Sequence, residues 1–160
     1  MKIAVGCDHA GFPLKESVVS TLRGLGHSVE DLGTHSTDAV DYPDYARAVA
    51  SAVVSGRCER GIVICGSGVG ASVAASKVPG VRAAMCHDTF SARQGVEDDD
   101  MNVLSIGARV IGSALAAEVV GAFVRARFSG AERHARRLGK VKAIEEDARK
   151  GAFDVAGRVP

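Results

Sequence analysis

Gly61-Ile62-Val63-Ile64-Cys65-Gly66-Ser67-Gly68-Val69-Gly70 is the stretch on which the fold turns. Its first half is a short, unbroken apolar run, the pattern of a strand covered on both faces in a parallel sheet. It passes straight into a glycine-rich turn, and residues 71–78 then read as a helix. Strand, tight turn and helix in succession are the repeating unit of α/β sheets.

The same alternation extends both ways. Upstream, Ile3-Ala4-Val5-Gly6 reads as a buried strand, followed by the loop Cys7-Asp8-His9-Ala10-Gly11. Pro13 fits the first turn of a helix in which Leu14, Val18, Leu22 and Leu25 recur at helical spacing and Gly24 and Gly26 supply the stop. Residues 27–32 read as a strand, 33–41 as a polar loop, and 43–54 as a helix with Ala46, Val49, Ala50, Val53 and Val54 on one face. Downstream, strands are expected at 81–85 and 103–107, and helices at 89–97 and 113–128, the last with Leu115, Val119, Phe123 and Ala126 along one side. Gly130 breaks that helix, and a basic helix is expected over 131–149. Short connections between alternating elements imply a Rossmann-like three-layer α/β/α domain with a five-stranded parallel sheet. Residues 1–150 are expected to form this single domain, with a loose tail at 151–160. Leu138, Val141 and Ile144 give the final helix a narrow apolar stripe, which is expected to pack on a second subunit.

Composition narrows the function. Aromatic residues are 4% of the chain, too few for a base-stacking platform, so nucleic acid is not an expected partner. The first 124 residues carry 10 basic and 14 acidic side chains, whereas residues 125–150 carry 9 and 4. That basic segment suits a small anion as well as it suits a solvated face. Cys7, Cys58, Cys65 and Cys86 show neither a C-x-x-C pair nor metal spacing, so they read as reduced thiols of a cytoplasmic protein; neither a metal nor a cofactor is expected. No apolar run reaches the ~20 residues of a membrane helix.

In such sheets ligands bind at the carboxyl ends of the strands, and the loops 7–11, 66–70 and 87–102 all leave those ends. Gly66, Gly68 and Gly70 let backbone amides crowd around an anion. The spacing is neither that of a Walker loop nor of a dinucleotide fingerprint, and a plain tight turn is the alternative. Cys65, directly before this turn, is placed where a helix terminus favours the thiolate. A thiolate beside an anion-stabilising loop suits proton abstraction next to a carbonyl, with the loop amides and Ser67 holding the enolate oxygen. A buried structural cysteine is the alternative here, and it is the reading for Cys7, Cys58 and Cys86. Asp8 and His9 follow the first strand as a carboxylate–imidazole pair able to orient hydroxyls or move protons; a turn-closing Asp and an exposed His are the plainer reading. Tyr42 offers a hydroxyl or a packing ring. Arg133 and Arg137, four apart, share one helix face and suit a phosphate, and Arg109 follows the fifth strand.

Gly6-Cys7-Asp8-His9-Ala10-Gly11-Phe12, Asp41-Tyr42-Pro43-Asp44-Tyr45-Ala46, Cys65-Gly66-Ser67-Gly68-Val69-Gly70, Asn102-Val103-Leu104, Gly107-Ala108-Arg109-Val110-Ile111-Gly112 and Arg133-His134-x-x-Arg137 occur in this order. Over residues 1–145 the chain resembles the ribose-5-phosphate isomerase B family, which includes the LacA/LacB galactose-6-phosphate isomerases. The resemblance implies a homodimer, sometimes paired into tetramers, with sites built from both subunits, and metal-free aldose–ketose isomerisation through a cis-enediolate. It implies Cys65 as the base between C1 and C2, Ser67 in place of the usual Thr, and Gly66, Gly68 and Gly70 around the enediolate. Asp8, His9 and Tyr42 would contact the sugar phosphate, Arg133 and Arg137 would bind the phosphate, and Arg109 would reach in from the partner subunit.

One departure bears on the substrate. The family commonly has His-Asn shortly before the Asn-Val-Leu strand, and that His helps open a furanose ring. Here Asp98 and Asp99 stand at those positions. Ribose 5-phosphate closes a ring through O4 and must be opened, whereas a tetrose 4-phosphate cannot close that ring. On the family resemblance ribose 5-phosphate still leads as the expected substrate, followed closely by a tetrose phosphate and then a hexose 6-phosphate. A non-catalytic phosphosugar-binding protein is the competing class, since this architecture hosts many functions.

Overall fold

Five strands, β1 (Lys2–Cys7), β2 (Ser28–Asp31), β3 (Arg60–Cys65), β4 (Ala83–Met85) and β5 (Val103–Gly107), pair in parallel in the order β2-β1-β3-β5-β4. This is a computed structural model, and it describes residues 1–153. The chain divides into two compact units, Met1–Phe128 and a smaller one beginning at Ser129. The sheet belongs to the first, with helices α1 (Phe12–Gly24), α2 (Tyr42–Val54), α3 (Val69–Ala75), α4 (Thr89–Asp99) and α5 (Ser113–Arg125).

Strand alternation divides the core into two layers. Ile3, Val5, Ile62, Ile64, Leu104 and Ile106 face α1, α4 and α5, where they pack on Leu14, Val18, Leu22, Val96, Val119 and Phe123. Ala4, Val63, Cys65 and Val103 face α2 and α3, against Val49, Val53, Ala71 and Ala75. The layers follow from period-2 strands meeting apolar helix stripes, and they form the three-layer α/β/α sheet expected from the sequence.

The connections explain where a ligand would go. From β1 the chain moves to β2 on one side, then crosses back to β3 on the other. The two neighbouring strands therefore part company at their carboxyl ends, which leaves a crevice there. Cys7 pairs with Ile64 in the register, so Asp8 and Cys65 emerge side by side.

The boundaries differ from expectation for identifiable reasons. Helix α3 stops at Ala75, four residues before Pro79, which has no amide to give the Ala75 carbonyl and would clash with it in a continued helix. Helix α5 stops at Arg125, not at 128, and Ala126 is extended. There the half-buried guanidinium of Arg60 donates to the carbonyls of Phe123 and Ala126, ending the helix. Leu115 is 39% exposed, while Ala116, Val119, Val120, Phe123 and Val124 form the buried stripe. Steps of four residues drift around a helix, so a line through Leu115, Val119 and Phe123 leaves the core at its first member.

The second unit holds α6 (Glu132–Arg149). Its first turn is organised by Ser129, whose hydroxyl accepts the Ala131 amide and lies 2.7 Å from His134 Nδ1. Leu138 is buried, but Val141 and Ile144 are exposed. Of the tail expected at 151–160, residues 154–160 lie outside the described residues. Among the described residues no helix is long and apolar enough to cross a membrane.

Candidate active site

A cavity of about 540 Å³ opens over the carboxyl ends of β1 and β3. Asp8, His9, Tyr42, Cys65, Ser67 and Arg109 line it, together with Gly66 and Gly70. Six side chains singled out in the sequence thus converge at one place.

Cys65 ends β3 with its sulfur turned toward the α2/α3 layer, and only 4% of the residue is exposed. The Gly68 amide donates to its Sγ from 3.1 Å. This contact requires the left-handed backbone of Gly68, at φ 82°, which a side-chain-bearing residue adopts only under strain. The next peptide is fixed from below. Ser105, fully buried in the middle of β5, donates its hydroxyl to the Gly68 carbonyl at 2.6 Å. The carbonyl being held inward, the Val69 amide faces the other way and reaches Ser67 Oγ at 3.2 Å. Among the described residues the amides of Gly66, Ser67 and Gly70 donate to no protein acceptor. Three free amides and a hydroxyl around a thiol are suited to an oxyanion forming beside it.

Asp8 is buried and its Oδ1 accepts the Gly11 amide at 2.8 Å, closing the turn into α1. The same residue thus performs the structural task and lines the cavity. His9 is fixed at Nδ1, 3.2 Å from both the amide and the carbonyl of Val40, so Nε2 remains for a ligand. Tyr42 opens α2 beside Pro43. Its ring lies flat on Gly70, where a Cβ would stand 2.7 Å from the ring. Arg109 follows from the end of β5: the Ala108 and Arg109 amides bond the Cys65 and Gly66 carbonyls at 2.9 and 3.0 Å. Its side chain then crosses Gly66, with Cδ and Cζ each 3.6 Å from where a Cβ would be. Arg109 therefore lines the cavity of its own chain.

The other three cysteines differ in kind. Burial pushes the Cys7 and Cys86 thiols up to about 11, and raises Cys58 as well. None of them lines the cavity. Among the described residues no group of three or more His, Cys, Asp or Glu side chains is placed to hold a metal.

Gly68, Asp98 and Asp99 are not among the residues that line this cavity. Asp98 and Asp99 close α4, and the Asp98 carboxylate accepts Gln94 Nε2 at 2.7 Å. Arg133 and Arg137 lie on α6 in the second unit, where Arg133 Nε is 2.9 Å from His134 Nε2. Two residues were overlooked in the sequence. Ser105 was readable as a lone hydroxyl in an apolar strand, since a buried polar group needs a partner. His87, whose Nε2 accepts the Gly107 amide at 2.9 Å, left no comparable signal.

Comparison with known proteins agrees with this geometry. The family model Ribose/Galactose Isomerase matches residues 3–141. Ribose-5-phosphate isomerase B of Escherichia coli is 46% identical over 145 residues, covering 91% of this chain and 97% of that protein. D-erythrulose-4-phosphate isomerase of Pectobacterium atrosepticum is 41% identical over 131 residues, covering 81% and 86%. The solved structure of Clostridium thermocellum ribose-5-phosphate isomerase B superposes with a TM-score of 0.90 at 49% identity, covering 92% of this chain and 99% of that one.

Proposed function

The chain belongs to the ribose/galactose isomerase family, and we propose that it interconverts the aldose and ketose forms of a phosphorylated sugar, ribose 5-phosphate and ribulose 5-phosphate first among them. The observation that carries this reading is the Cys65 sulfur under the Gly68 amide, at the wall of a cavity lined by hydroxyl- and anion-binding groups.

The chemistry follows from that placement. The Cys65 thiolate takes the proton from C2 of the open-chain aldose, and the electron pair moves to form the C1–C2 double bond and a negative O1. The amides of Ser67 and Gly70 and the Ser67 hydroxyl meet that charge. The proton on O2 passes to O1, and the Cys65 thiol returns its proton to C1, leaving the ketone at C2. His9 and Asp8 hold sugar hydroxyls, Tyr42 bounds the chain of the sugar, and Arg109 supplies a cation. No step consumes an oxidant or a second substrate.

The site is completed in a homodimer, on this reading. Val69 and Val110 line the cavity yet are half exposed, and Met85 and Phe90 are exposed nearby in sequence to the expected loop. A second copy would cover such residues and bring Arg133, Arg137, Asp98 and Asp99 to the phosphate and hydroxyls. The setting is cytoplasmic, in keeping with four free cysteines.

A second reading, a tetrose phosphate as substrate, is favoured by one specific feature. No histidine lies between His87 and His134, so a pentose ring must be opened by Asp98 or water. Proton NMR in deuterated buffer tests both readings, following exchange at C2 of ribose 5-phosphate, erythrose 4-phosphate and galactose 6-phosphate. Fast exchange on ribose 5-phosphate upholds the first reading. Exchange on the tetrose alone moves the assignment to it, and silence on all three leaves a binding protein.

A further inference from the structure

Lys15 is a buried charge that the chemistry above does not use. It sits on the inward face of α1 and is 5% exposed. Its ammonium donates to the Thr34 carbonyl at 2.6 Å and contacts both oxygens of Asp31 at 2.9 and 2.8 Å, with His35 Nδ1 at 3.5 Å. A well-packed apolar side chain of like volume often stabilises as much as a buried ion pair does. The charge therefore invites a reason in what it holds.

What it holds is the segment that leaves β2. Gly33 and Thr34 extend the ladder alongside the end of β1, through Cys7 N to Gly33 O at 2.6 Å and Thr34 N to Cys7 O at 2.8 Å. Asp31 Oδ1 also takes the Gly33 amide at 3.0 Å. Burial works against an ionised Asp31, yet the Lys15 and Gly33 hydrogen bonds hold its carboxyl below the ordinary value. Six residues beyond Thr34, Val40 clamps the His9 ring. The segment is thus fastened at one end by Lys15 and at the other to His9. We propose that Lys15 is a positioning residue for the active site, which sets the 31–40 segment against β1 and through Val40 fixes the His9 imidazole. This rests on the reading of His9 as a substrate contact.

The test compares Lys15→Met, which keeps the aliphatic stem, with His9→Ala and the double variant. A loss of alignment of about 1 Å predicts that Lys15→Met loses about 10- to 100-fold in kcat/KM while its unfolding stays cooperative. Because the effect passes through His9, the same change in the His9→Ala background should cost no more than about twofold. Nitrogen-15 spectra of the His9 ring give a readout that needs no turnover: the Val40 contact at Nδ1 sets the ring shifts in the native chain, and Lys15→Met should move them toward those of a solvent-exposed histidine. Native kinetics and an unchanged His9 spectrum in Lys15→Met would overturn the proposal, as would an equal loss with and without His9. A native chain inert toward sugar phosphates would sink the isomerase reading instead, and the His9 spectrum would still decide the role of Lys15. Should Lys15→Met not fold, Asp31→Asn removes the same ion pair and carries the same two measurements.

Discussion

The Gly68 amide donates to the Cys65 sulfur at 3.1 Å, three residues along the chain and across a turn that only a left-handed residue completes. An amide aimed at a sulfur is a contact that a thiolate accepts well, and the neighbouring Ser67 and Gly70 amides are left for a second anion. On the proposed reading, proton acceptor and oxyanion donors thus come from the six residues 65–70. They need no reorganisation during reaction because β5 holds the loop from beneath through Ser105.

Removing the sulfur separates an isomerase from a binder. Cys65→Ala deletes the proposed base and leaves the loop amides in place. Loss of general base catalysis predicts a fall in kcat of about 10²- to 10⁴-fold, with affinity for the sugar phosphate retained. Deuterium exchange at C2 measures the first and calorimetric titration the second. Unchanged exchange in Cys65→Ala would remove Cys65 from the chemistry.

Two glycines beside the cavity should respond in opposite ways. A Cβ at Gly70 would press on the Tyr42 ring at 2.7 Å, and that ring is 40% exposed and free to swing outward. Gly70 lies in α3, where alanine is the better helix former by about 1 kcal/mol. Gly70→Ala is therefore expected to keep or raise Tm while KM rises as Tyr42 leaves the site. At Gly107 the Cβ would meet the Ser67 carbonyl carbon and oxygen at 2.5 Å, and rigid backbone cannot yield as a ring can. Gly107→Ala should lower Tm and activity together. Equal Tm losses in the two variants would contradict this account.

How far the site was legible depended on whether its residues were local. Residues 61–70 carried strand, turn and candidate base in one run, so β3, Cys65 and the amide loop could be read without a structure. Asp8, His9 and Tyr42 were legible because they lead from strand ends or into a helix start, where a parallel sheet gathers ligands. His87 and Lys15 were not, because each acts through a backbone group distant in sequence, Gly107 and Thr34; Ser105 was readable as a hydroxyl in an apolar strand, but its partner Gly68 was not. The path of Arg109 was not legible for a related reason. It is set by two amide bonds from the end of β5 back to Cys65 and Gly66, which no local pattern reveals.

The buried thiols give the protein an alkaline limit. Cys7 and Cys86 are raised from 9.0 to about 11 in the folded chain, in both cases chiefly by burial. A group with a raised folded value contributes its full stability below the unfolded value and loses it as pH climbs to the folded one. Their contribution to Tm should therefore be constant below pH 9.0 and decline between there and about 11. Cys7→Ala should make that decline shallower, whatever it does to Tm at neutral pH. A decline of the same slope in Cys7→Ala would assign the alkaline limb to other groups.

Asp98 offers the sharpest test of substrate. It stands on α4 where the family commonly carries a ring-opening histidine, and its carboxylate is bonded to Gln94. An imidazole near neutrality both accepts and donates a proton, as opening a furanose at O4 requires. A carboxylate at neutral pH mostly accepts, and it repels an anionic substrate. Asp98→His is thus expected to raise kcat/KM on ribose 5-phosphate, by about tenfold or more if ring opening limits the native chain. On erythrose 4-phosphate, which closes no such ring, the same variant should leave turnover near its native level. Steady-state assays on the two sugars decide the matter: a rise on both would point to charge rather than ring opening. Unchanged or lower turnover on the pentose would mean that Asp98, or water, already opens the ring.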